Sequence, residues 1–167
     1  IVDGAQLVLG IDTPVSIAGN LQLINGASLT VSTATVSPQR VYALDLQVAG
    51  TVTVHATSSI DLNGKGYPSN YWSGPDFVND QVRYGCYGGK RSNTTNDCTY
   101  GRYEQAMFAG SAGAAQGTGD AKGGGVLSLT AGGLILDGSI QANGHKGHSS
   151  HGGGAGGGVH LAVGILS

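Results

Sequence analysis

Two stretches of this chain carry the same pattern of short apolar bursts, and that repeat constrains the fold more than any other feature. Leu46-Gln-Val-Ala-Gly-Thr-Val-Thr-Val54 leads on to Ile60-Asp-Leu-Asn-Gly64, and Leu127-Ser-Leu-Thr-Ala-Gly-Gly-Leu-Ile-Leu136 leads on to Ile140-Gln-Ala-Asn-Gly144. Each reads as strand, Ala-Gly turn, strand, polar turn, strand, Asn-Gly. Within a burst, apolar and polar residues alternate, the period of two that sets one row of side chains on one face of a strand. A third copy starts at Val159-His-Leu-Ala-Val-Gly164, and a looser one lies between Leu21 and Val31. No segment long enough for a helix carries apolar residues at helical spacing.

Short strands recurring in repeats of about 20 residues predict a solenoid. The expected fold is therefore all-β, a right-handed parallel β-helix with about three short faces per coil. Its inward residues would stack into one apolar column, with Gly and Asn at the corners supplying positive φ. The alternative is an antiparallel sandwich with hairpins at the Asn-Gly sites; recurrence of one inward pattern favours the solenoid. Residues 1–167 read as a single domain. The first residue is Ile1 and the last three, Ile165-Leu166-Ser167, continue a strand pattern. The expectation is a fragment of a larger protein, joined to flanking domains of the same polypeptide.

Composition narrows the classes further. With 31 glycines, helices are disfavoured, since each Gly costs about 1 kcal/mol relative to Ala in a helix. Four prolines and no Gly-X-Y register exclude collagen. A net charge of -2 gives no reason to expect nucleic acid as a partner. No apolar run approaches the ~20 residues of a membrane-spanning helix, so no membrane insertion is expected.

Residues 65–125 break the repeat and read as a loop insertion. They hold six of the seven tyrosines, the sole tryptophan, both phenylalanines, both cysteines and six of the eight Lys/Arg. An insertion this long is usually functional when it is ordered. Aromatic side chains bring contact area and, in Tyr and Trp, a polar tip. The candidate binding residues are Tyr71, Trp72, Arg83, Tyr84, Tyr87, Arg91, Tyr100, Arg102 and Tyr103, a platform for a glycan or a surface protein. The competing reading packs the aromatics against the strands as cover, and the two are compatible. A disulfide between Cys86 and Cys98 would close a short loop and pin the insertion, contributing roughly 2–3 kcal/mol; two unlinked thiols are the alternative. Asn93-Thr-Thr95 is an N-glycosylation sequon, relevant where the source glycosylates secreted proteins.

Two glycine runs, Gly110–Gly125 and Asn143–Gly158, each precede a strand burst. Their shared place in the repeat argues for close backbone approach rather than a flexible linker. Neither is a phosphate loop, because no Gly-Lys-Ser/Thr follows. His145, His148 and His151 recur every third residue, with His160 beyond. They read as solvated loop histidines, since no cysteine or convincing carboxylate accompanies them as a metal ligand. Asp61-Leu-Asn-Gly-Lys-Gly66 reads as a corner turn, lacking the acids of a calcium loop. No catalytic constellation, metal site or cofactor is implied.

The strand-and-corner segments, with Ser59-Ile-Asp-Leu-Asn-Gly-Lys-Gly-Tyr67, Tyr100-Gly-Arg-Tyr103, Gly110-Ser-Ala-Gly113 and Gly123-Gly-Gly-Val-Leu-Ser-Leu129, resemble the glycine-rich β-helix segments of large bacterial secreted and surface proteins, adhesin-like or associated with RHS repeats. The resemblance covers the chain from about Gly19 onward and rests on repeat-like motifs. It implies an extracellular or cell-surface location and a non-catalytic scaffold or adhesion role, and it transfers no catalytic residue. Two other functions stay open. One is a carbohydrate-active enzyme, a polysaccharide lyase or hydrolase, its groove supplied by the insertion. The other is a self-assembling filament subunit associating end to end through open strand edges.

Overall fold

The computed structural model describes residues 1–11, 13–36, 39–68, 106–113, 121–147 and 152–167. Twelve strands lie among them: β1 (Val2–Asp3), β2 (Gln6–Leu9), β3 (Val15–Ile17), β4 (Leu21–Ile24), β5 (Ser28–Val31), β6 (Thr35–Val36), β7 (Gln39–Arg40), β8 (Ala43–Val54), β9 (Ser59–Asp61), β10 (Val126–Leu136), β11 (Ser139–Gln141) and β12 (Gly158–Leu166). They form a six-stranded parallel sheet ordered β1-β4-β8-β10-β12, with β3 also on β8, and a four-stranded parallel sheet ordered β11-β9-β5-β2. β6 and β7 make a small antiparallel pair.

The register explains the repeat. Leu46 lies beside Leu129, which lies beside Leu161; Val48, Ala131 and Val163 form the next row. In the smaller sheet Leu7, Leu29, Ile60 and Ile140 align in the same way. Like residues stack on like because each copy contributes the same alternation. The core they form is dry: Leu23, Leu29, Leu44, Leu46, Ile60, Leu62, Leu127, Leu129 and Leu134 are all buried to within 2%. At roughly 1.5–3 kcal/mol for each fully buried aliphatic side chain, this column is the main stabilising term.

The expected right-handed β-helix with three faces is corrected by this arrangement. The described residues form two parallel sheets, contain no helix and close no solenoid. The physical reason lies at the Ala-Gly steps. Leu46/Val48 and Val52/Val54 read as two strands meeting at a corner, yet they belong to one twelve-residue strand, β8. Leu127/Leu129 and Leu134/Leu136 likewise share β10. Between Ala131 and Gly133 the β8–β10 register shifts, two residues of β8 (Ala49 and Gly50) facing the single Gly132. This bulge bends the ladder without ending it. Asn20 supports it: its side-chain Oδ1 accepts from Thr51 N at 2.9 Å, while Gly19 O accepts from Gly50 N at 3.1 Å.

The turns between sheets behave as corners. Asn25 (φ 55°) and Gly26 (φ 79°) carry the chain from β4 to β5 in the left-handed region. Asn25 Nδ2 donates to Asp3 Oδ1 at 2.7 Å, and Gly26 N donates to Thr57 Oγ1 at 3.0 Å, so neighbouring turns tie each other down. At the end of β9, Asn63 N donates to Asp61 Oδ1 at 3.0 Å and Gly64 takes φ 62°. The Asp61 carboxylate thus serves its own turn.

Candidate functional site

The residues between the strands build a second structure, a layer of extended glycine-containing runs. Leu62 to Pro68, Ala106 to Gly113, Ala121 to Gly125, Ala142 to Gly147 and Gly152 to Gly158 lie side by side and exchange backbone hydrogen bonds. Gly66 N donates to Gly123 O at 2.7 Å, Gly123 N to Tyr67 O at 3.2 Å, and Tyr67 N to Gly110 O at 2.9 Å. Gly110 N donates to Gly124 O at 2.8 Å, Gly124 N to Ala155 O at 2.9 Å, and Ala155 N to Ser111 O at 2.9 Å. Gly113 N reaches Ala121 O, His145 N reaches Lys122 O, and Gly154 N reaches His145 O, each at 2.8–2.9 Å.

Glycine is needed here for room. A Cβ on Gly110 would fall on the carbonyls of Ala155 and Gly156, one on Gly123 on the carbonyl of Gly110, and one on Gly157 on that of Gly125. Backbone cannot give way as a flexible side-chain tip can. The two glycine runs thus share one place because they pack on each other, along with the Gly66 segment.

The insertion is rooted in this layer. The described residues on either side of 69–105, up to Pro68 and from Ala106, lie in this layer. Both stems are fixed by the bonds above and by a small apolar cluster of Tyr67, Ala109 and Val126, against which Val41 and Phe108 pack. Two of the insertion's aromatics, Tyr67 and Phe108, therefore cover apolar surface. Tyr71, Trp72, Arg83, Tyr84, Tyr87, Arg91, Tyr100, Arg102 and Tyr103 lie outside the described residues, as do Cys86, Cys98 and Asn93. So do His148 and His151.

His145 is described: its ring sits over Gly64, where a Cβ would meet Nε2. Among the described residues no three His, Cys, Asp or Glu side chains gather as metal ligands. No described helix is long and apolar enough to cross a membrane.

No protein-family model, curated protein or solved structure matches the chain.

Two arrangements escaped the sequence reading. Parallel register sets Asp45, Ser128 and His160 in one row across β8, β10 and β12, on the face opposite the Leu44 and Leu46 side chains. Each lies between two apolar residues, Leu44 and Leu46, Leu127 and Leu129, and Val159 and Leu161, and that shared place was the available signal. The hydroxyl stands between the acid and the imidazole, so Asp45 cannot orient His160 as it would in a triad, where the imidazole is central. The second is a polar row on the smaller sheet. Asn63 Nδ2 donates to Gln141 Oε1 at 2.6 Å, Asn143 N donates to Asn63 Oδ1 at 2.8 Å, and Lys65 Nζ donates to Thr33 Oγ1 at 3.3 Å. These groups satisfy one another across neighbouring segments and act as ties between them.

Proposed function

We infer that this chain is a non-catalytic scaffold and adhesion module of a large secreted or cell-surface protein, holding the insertion out toward a glycan or protein partner. The observation that carries this reading is the rooting of both stems, Gly66–Pro68 and Ala106–Gly113, in one backbone-bonded glycine layer beside a dry core. Stems fixed at both ends limit the conformations of what lies between them, and preorganised loops lose less entropy on binding. Between the stems sits the chain's concentration of Tyr, Trp and Arg, the residue types that dominate binding hot spots.

A glycan-array screen tests the proposal, comparing the intact chain with a Trp72→Ala/Tyr87→Ala variant. Binding by the intact chain and its loss in a variant with unchanged circular dichroism is the expected result. Equal binding by both would remove the insertion as the recognition surface. Depolymerisation of a polysaccharide, lost on changing Arg83 or Arg102, would replace the adhesion reading with an enzymatic one.

A further inference from the structure

The chain contains three Asn-Gly pairs, Asn25-Gly26, Asn63-Gly64 and Asn143-Gly144, and all three lie among the described residues. Such a pair carries its own reactants. The side-chain carbonyl carbon of the asparagine is an electrophile, and the amide nitrogen of the glycine, with no Cβ to shield it, is a nucleophile. The fold treats the three pairs differently. At the first, Asn25 Nδ2 donates to Asp3 Oδ1 at 2.7 Å and Gly26 N donates to Thr57 Oγ1 at 3.0 Å. At the second, Asn63 Nδ2 donates to Gln141 Oε1 at 2.6 Å and Asn63 Oδ1 accepts from Asn143 N at 2.8 Å. Gly64 N donates to Asn143 O at 2.9 Å. Electrophile and nucleophile are therefore both engaged at these two pairs. At the third pair Asn143 is exposed, and neither its carboxamide nor the Gly144 N–H has a hydrogen-bond partner among the described residues. The bond that Asn143 O accepts from Gly64 N also polarises the Asn143–Gly144 peptide, which eases loss of the Gly144 amide proton.

We propose that Asn143 is a site of spontaneous deamidation, with water as the co-reactant. Gly144 N bonds to Asn143 Cγ and closes a succinimide ring. The Cγ–Nδ2 bond breaks, and the side-chain nitrogen leaves as ammonia with the proton that Gly144 N gave up. Water then adds to one of the two ring carbonyls, and the ring C–N bond on that side opens. Opening at Cγ leaves aspartate at position 143. Opening at the main-chain carbonyl leaves isoaspartate, in which the chain runs on through the side-chain carbon. Both products add a negative charge. The isoaspartyl product also lengthens the main chain in a run that is bonded to Gly64 through Asn143 O and to Lys122 O through His145 N. The site is independent of the insertion and of what the insertion binds.

Ageing the intact chain in mildly alkaline buffer, natively and in parallel in urea, tests this. Peptide mass spectrometry follows aspartate and isoaspartate at positions 25, 63 and 143 over time, and circular dichroism verifies that the native sample is folded. In urea the three pairs are expected to react at similar rates. In the native chain Asn143 leads, while Asn25 and Asn63 fall about tenfold or more below their own rates in urea. Each hydrogen bond that must open first lowers the reactive population roughly fivefold. In Asn143→Gln, a change at an exposed side chain, the acidic form that isoelectric focusing resolves from the ageing parent forms more slowly. Native protection of Asn143 equal to that of Asn25 and Asn63, or faster reaction at either of those, overturns the proposal. Accumulation of the acidic form at the parent rate in Asn143→Gln overturns it as well.

Discussion

Glycine does two different jobs in this chain, and the distinction is made residue by residue. Gly4, Gly26 and Gly64 occupy positive φ, where an L side chain is strained whatever space surrounds it. Gly66, Gly110, Gly123, Gly124, Gly154 and Gly157 have no such φ and instead lie against backbone carbonyls. Gly123→Ala is therefore expected to destabilise by more than the roughly 1–3 kcal/mol typical of overpacking, because the opposing atoms are backbone. Gly152→Ala, with open space around the new methyl, should be neutral or stabilising by up to about 1 kcal/mol. Urea midpoints of the two variants against the parent measure the contrast. Equal effects would mean that conformational entropy, not room, explains the glycines. The corner at Asn25-Gly26 was legible in the sequence, because that dipeptide marks positive φ. Asn143-Gly144 looks identical in sequence, yet Gly144 makes room for the Gly154 carbonyl. Nothing local separates the two cases, because the crowding partner lies on another run.

At the scale of the element, alternation was a reliable guide to strands and a poor guide to where they end. Leu46, Val48, Val52 and Val54 all face inward as their spacing suggested, but the Ala49-Gly50 step between them is a bulge within one strand. A sequence shows Ala-Gly; it does not show that Asn20, thirty-one residues from Thr51, takes up the amide there. The insertion had the same mixed legibility. Its departure from the repeat was evident, whereas its stems belong to the glycine layer through backbone bonds that no side-chain pattern reports. The columns themselves make a sharp prediction. Leu129 is fully buried between Leu46 and Leu161, so Leu129→Ala should cost about 2–5 kcal/mol of transfer and cavity energy. Leu161→Ala, in the same column but already 37% exposed, should cost about 1 kcal/mol. Denaturant unfolding of both variants against the parent checks the ordering. A reversed ordering would mean that burial within the column does not set the cost.

For the molecule as a whole, the open question is whether the glycine layer and the strand stack are one cooperative unit. Geometry argues that they are. Leu62 N donates to Gln141 O, Gly125 N to Leu62 O and Gly157 N to Ala142 O, each at 2.7–2.8 Å, so the layer is continued directly from β9, β10, β11 and β12. Layer residues such as Ala112, Ala121 and Ser111 are buried. A linker would leave its amides to water, whereas these are bonded in chains that cross several runs. Native-state hydrogen exchange distinguishes the cases, because amides released only by global unfolding share the slowest rates. The amides of Gly66, Tyr67, Gly110, Gly123 and Gly124 are expected to exchange as slowly as those of Leu46 and Leu129. Fast exchange across the layer, with slow exchange confined to β8 and β10, would make it a separately opening element. The insertion would then be held by a hinge rather than by a rigid mount. Slow exchange in both carries the stability of the apolar columns out to Pro68 and Ala106, the points from which a recognition loop would be presented.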